Sequence, residues 1–198
     1  MRKRIIDWIF TLQSQRGILG EKERRLYEYA YRLLLTRILI YSIIIVLGSI
    51  TGNWLGMFSF LLPFVFLRQY VGGIHLRKSI SCICVSSFLV FICGEYLAID
   101  SMMGIAFRIT WFVSIVIILL LAPVDTGSKR LDKVERKIYG KRARTLLAIE
   151  FVLAFCFETI GISIVAKGIA VAHIILASSL VLGTVKNFFA YKLEKTNI

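Results

Sequence analysis

The sequence predicts an all-α, polytopic membrane helix bundle of about six transmembrane segments, preceded by an N-terminal interfacial amphipathic helix. Three observations carry that reading. Hydrophobic residues make up 58% of the 198-residue chain, and the mean hydropathy of +0.77 exceeds what a soluble core of this size could bury. The apolar residues fall into six runs separated by charged stretches. The basic residues cluster in alternate connections between those runs, as in membrane proteins of fixed orientation.

The chain starts MRKRIIDWIFTLQ, where Asp7 breaks a short apolar run and no small-residue cleavage site follows, so no signal peptide is expected. An interfacial helix is expected instead. Ile5, Ile6, Trp8, Ile9 and Leu12 form its apolar side, and the neighbouring basic residues favour a leaflet of anionic lipid. A solvated basic tail is the alternative reading.

The apolar runs cover residues 33–51, 54–67, 80–99, 105–122, 145–166 and 168–189. Crossing a hydrocarbon core of about 30 Å takes about 20 residues, so the second run, WLGMFSFLLPFVFL, is short. Its Pro63 either kinks a helix or ends a half-membrane hairpin. Residues 1–32 carry eight Lys and Arg, residues 68–79 three, 124–144 eight and 186–198 three. Those 22 of the 25 basic residues fall on one side of a six-span topology, which places both termini in the cytoplasm. Only Arg37, Arg108 and Lys167 are left over. The chain reads as one integral membrane domain over 1–198, with 1–32 a cytoplasmic interfacial segment and 124–144 a basic cytoplasmic loop.

This placement of the +13 net charge argues for lipid and topology and against nucleic acid. All four cysteines, Cys82, Cys84, Cys93 and Cys156, lie within apolar segments, where structural disulfides are not expected. No cysteine–histidine spacing of the zinc type and no phosphate-binding glycine loop occurs, so no metal or other cofactor is expected.

One stretch combines a nucleophile with a base: RQYVGGIHLRKSISCIC, residues 68–84, at the entry to the third run. A thiol is only partly ionised at neutral pH, and a neighbouring imidazole raises the thiolate fraction and can return the proton to a leaving amine. His75 and Cys82 are seven residues apart, which in an unbroken helix is about 10.5 Å along the axis and too far for contact. The pairing therefore requires the chain to bend, or its helix to begin, between them, with Gly72 and Gly73 permitting the bend. A structural histidine and a cysteine serving as apolar filler is the competing reading of the same residues.

Arg68, Gly72-Gly73, His75 and, seven residues on, Cys82 resemble the AgrB family of membrane cysteine endopeptidases, which process quorum-sensing pro-peptides. Ala122-Pro123-Val124-Asp125 and the Lys/Arg-rich stretch after it resemble the family's other recognisable segment, and length and hydropathy agree across nearly the whole chain. The resemblance implies His75 as general base and acid, Cys82 as nucleophile, and a short AgrD-like pro-peptide as substrate. Cleavage would pass through an acyl-enzyme thioester that a cysteine or serine of the peptide then closes into a thiolactone or lactone. It also implies self-association, a homodimer being one form, with no stoichiometry fixed by the sequence. Arg68, Gly72, Gly73 and Asp125 are candidate orienting or substrate-site residues; Asp125 either orients the histidine or ends a helix through a salt bridge. Cys84 departs from the family spacing.

The basic residues of 124–144 either contact an acidic peptide tail or enforce topology and hold lipid headgroups. Within the apolar runs, Arg37, Glu150 and Glu158 are costly unless they line a cavity or find polar partners, Arg37 itself being one candidate partner for the two acids. In a cavity they would suit a small transporter or peptide exporter without proteolytic activity, the main competing function. A third reading, haem bound between His75 and His173, requires two facing imidazoles; otherwise His173 is structural.

Overall fold

The computed structural model describes residues 2–15, 24–73, 79–99, 103–125 and 131–196. They form seven helices and no strand among the described residues: α1 (Arg2–Gln15), α2 (Arg24–Thr51), α3 (Trp54–Val71), α4 (Ser79–Ala98), α5 (Ile105–Leu121), α6 (Lys133–Thr159) and α7 (Ser163–Thr196). By length and composition α2, α3 and α7 can each cross a membrane, and α4 and α5 contain shorter apolar helices. The chain is an all-α membrane helix bundle, and each apolar run of the sequence lies within one of α2 to α7, with one shifted boundary.

That boundary separates α6 from α7. The charge of Lys167 suggests a break there, but the break falls at Ile160–Ile162, where Gly161 has φ +85° and the Ile160 N–H closes the helix on the Cys156 carbonyl. Lys167 instead lies within α7 and is buried. Helix α1 buries Ile6 and Phe10 where Asp7 and Phe10 both meet Arg24 at the start of α2, while Trp8 stays exposed. One other expectation shifts. Residues 133–144, expected to be loop, are the first turns of α6. Asp132 and Glu135 form a capping box that starts the helix at this point.

Helix α7 is the centre of the molecule. It contributes Val171 and Ala172 to a core with α2, α3 and α4, Leu176, Ala177 and Leu180 to one with α3, α5 and α6, and Ile169 and Ala170 to a third around Trp111 and Ala154. Small residues permit this crowding, since helices in lipid associate by close packing more than by hydrophobic exclusion. A Cβ at Gly168 would stand 2.2 Å from the Ser59 hydroxyl of α3, so the two helices cross at that glycine. Pro63 sits inside α3 without ending it. Helix α2 presents Ile38, Leu39, Ile45 and Ile50 outward, as a lipid-facing helix does.

Candidate active site where α3, α5 and α7 meet

The C-terminal ends of α3 and α5 meet the middle and C-terminal half of α7, and there the two sequence motifs join through their backbones. The Val124 N–H donates to the Val71 carbonyl at 3.0 Å, and Gly72 pairs with Val124 as an isolated parallel β-bridge. Gly72 has φ +80° and an added Cβ would stand 2.2 Å from the Val124 carbonyl oxygen; conformation and space both exclude a side chain. Gly73, at φ +115°, is excluded from bearing one by the Arg68 guanidinium and the Ser179 hydroxyl.

Arg68 holds this junction. Its Nη1 donates to the Gly72 carbonyl and to Ser179 Oγ on α7, both at 2.6 Å, so one guanidinium nitrogen fixes the residue that ends α3 to the central helix. The other motif is tied down in parallel. Asn187 Nδ2 on α7 donates to the Asp125 carbonyl at 2.8 Å, while the Asp125 carboxylate accepts from Arg136 at 2.8 Å and from the Leu131 N–H at 3.3 Å. Asp125 thus closes the connection from α5 to α6. Sequence reasoning singled out Arg68, Gly72, Gly73 and Asp125; it missed Ser179 and Asn187, whose only signal is a polar side chain within or at the edge of an apolar run.

Residues 74–78, and with them His75, lie outside the described residues, as do the side chains of Cys82 and Arg37. The backbone of Cys82 is described: α4 begins at Ser79, so Cys82 falls in its first turn, where amide N–H groups lack intrahelical acceptors. The Cys84 thiol is exposed, and two residues on from Cys82 it lies roughly 200° around the helix.

A second polar group lies deeper in the bundle. The Trp111 Nε1–H donates to His173 Nδ1 at 3.0 Å, and His173 Nε2 stands 2.9 Å from Glu150 Oε2, all three side chains buried. Indole only donates, so Nδ1 is the bare nitrogen and Nε2 carries the proton, which it gives to the carboxylate in a hydrogen bond. Both ring nitrogens of His173 are thereby engaged, and its one in-plane lone pair, on Nδ1, is taken by the indole rather than open to a haem iron. Glu150 finds this histidine, and Glu158, two turns along α6, pairs with Arg108 at 2.5 Å. That ion pair borders a cavity of about 500 Å³ lined by Trp111, Phe112, Phe151 and Phe155, so Glu158 faces a cavity while Glu150 faces the core.

A sequence model of the family described as AgrB, Accessory gene regulator B, matches residues 3–190 of the chain. Comparison with curated proteins and comparison with solved structures yield no match.

Proposed function

The chain belongs to the AgrB family of accessory gene regulators, and from that premise we propose that it is a membrane cysteine endopeptidase that cleaves the C-terminal part of an autoinducer pro-peptide. The supporting observation is the backbone junction of Gly72 with Val124. It joins the two motif segments immediately before the connection that bears His75 and leads into α4, the helix that bears Cys82. The asymmetry of basic residues supports a cytoplasmic position for this junction.

In this reading His75 takes the thiol proton, and the Cys82 sulfur adds to the scissile carbonyl. Collapse of the tetrahedral adduct breaks the C–N bond, the imidazolium gives its proton to the departing amine, and an acyl thioester remains on Cys82. A cysteine of the peptide then adds to that carbonyl, closes the thiolactone and expels the Cys82 sulfur, which regains a proton through His75; a serine gives the lactone. Thioester exchange is nearly balanced in bond energy, so exclusion of water and release of the cleaved tail favour cyclisation over hydrolysis. Free N–H groups in the first turn of α4 are suited to the oxyanion. Arg68, through Gly72 and Ser179, positions the segment and is not itself a reacting group.

Purified full-length Cys82→Ala and His75→Ala proteins should each bind the matching pro-peptide without cleaving it, and Cys84→Ala should cleave it. Mass spectrometry of substrate incubated in detergent reads this directly, since proteolysis there needs no second compartment whereas transport does. Cleavage by Cys82→Ala would remove the proposed nucleophile.

A further inference from the structure

Between the C-terminal end of α5 and the first half of α6 lies a cavity of about 650 Å³, separate from the Gly72 junction but reaching Pro123 beside it. Five of its lining residues are cationic: Lys133, Arg136, Lys137, Lys141 and Arg144. Arg136 alone has an acidic partner among the described residues, Asp125. The spacing of 133, 137, 141 and 144 puts these four on one side of α6, rising about 16 Å along its axis. Like charges stacked at that spacing repel one another and destabilise the helix that carries them unless an anion lies along the stripe.

The opposite wall is of another kind. Leu120, Leu121, Ala122 and Pro123 supply it, and Leu120 is 77% exposed despite its size. An occupant that satisfies both walls is anionic at one end and hydrocarbon at the other. A strand of acidic peptide matches the cations, but it would lay backbone amides and carboxylates against leucine, where they find no partner. A phospholipid offers phosphate oxygens to the lysines and acyl chains to the leucines, and the surface of a bilayer supplies it.

We propose that the α5–α6 cleft is a binding site for an anionic glycerophospholipid, its phosphate held between neighbouring cations of the stripe Lys133, Lys137, Lys141 and Arg144 and its chains over Leu120 and Leu121. Arg136 lines this cleft and pairs with Asp125, and Pro123 lines it beside Val124, so the site adjoins the connection that follows α5.

Native mass spectrometry of the full-length protein, released from nanodiscs holding equal phosphatidylglycerol and phosphatidylcholine, tests this. Wild type should retain phosphatidylglycerol over phosphatidylcholine by about fivefold or more, since each nearby cation contributes about 1 kcal/mol toward an anionic lipid. The triple variant Lys137→Gln, Lys141→Gln, Arg144→Gln should bring that ratio near unity. A charge-matched control, Lys186→Gln, Lys192→Gln, Lys195→Gln, should keep it. Lys141→Glu alone, with its helicity checked by circular dichroism, should lower the ratio and serves if the triple variant does not fold. An unchanged ratio in the cleft variants, or an equal loss in the control, overturns the site. Inorganic phosphate in excess should leave the lipid bound; displacement by phosphate would make this a free-anion site, and displacement by an oligoglutamate peptide at equal concentration would make it a peptide site, either of which overturns the lipid assignment.

Discussion

Helix α7 carries polar side chains at two levels, and they serve different ends. At mid-helix His173 joins Glu150 and Trp111, three side chains that satisfy one another and leave no polar atom of the imidazole over. Two to four turns later Ser179 and Asn187 meet a guanidinium and the backbone of connecting segments: Ser179 with Arg68, which also holds the Gly72 carbonyl, and Asn187 with the Asp125 carbonyl. A closed side-chain cluster fixes how helices pack. Side chains that hold the chain where it leaves a helix fix the path of a segment between helices, and reacting groups are commonly carried on such segments.

If that contrast is right, the mid-helix cluster should respond in stability and the helix-end contacts in activity. The largest effect belongs to His173→Leu, which leaves the Glu150 carboxyl and the Trp111 N–H buried without a partner. A loss of about 3–5 kcal/mol is expected, read as a lower melting temperature of the detergent-solubilised protein. The double variant Glu150→Leu, His173→Leu should regain more than half of it, because an apolar replacement of a buried pair removes the desolvation cost as well. If the surviving folded fraction of either variant cleaves peptide at a greatly reduced rate, the cluster is not merely architectural.

Ser179→Ala should act in the opposite sense. It removes one hydrogen bond of Arg68, costing about 1 kcal/mol in stability. Cleavage should fall about tenfold, since a small misplacement of a reacting group costs that much or more. Ser179→Thr keeps the hydroxyl and should restore most of the rate. A melting temperature that falls steeply with the rate unchanged would place Ser179 with the architectural residues. The smallest effect is expected at Arg108→Gln, which breaks a pair with Glu158 whose arginine is half exposed. Its cost should stay under about 1 kcal/mol and shrink further with added salt, read from melting temperatures in low and high salt.

Much of the fold was legible because the bilayer imposes a simple rule: long apolar runs between charges become helices. The rule failed at Lys167 because charge is a poor marker of a turn when a long side chain can be accommodated within a helix; Gly161, with its positive φ, was the true marker. It failed again at 133–144, where basic composition suggested loop, although the Asp132–Glu135 capping box was present in the sequence. At the candidate site, the spacing of Gly72, Gly73, His75 and Cys82 and the Ala122–Asp125 segment marked two separate places in the chain. Their backbone junction and the dependence of Arg68 on Ser179, 111 residues away, connect positions that no local pattern relates.

The sequence by itself determined the membrane class, the order and approximate extent of the helices, the family and the chemical candidates. Each of these depends on composition or on spacing along one stretch of chain, and such signals survive without coordinates. Only the tertiary structure decided which polar groups meet. Glu150 chose His173, Glu158 chose Arg108, and Asp125 took Arg136. In an apolar surrounding a polar atom without a partner is costly, and which partner it finds depends on how the helices cross, a property of the whole bundle that no segment encodes alone.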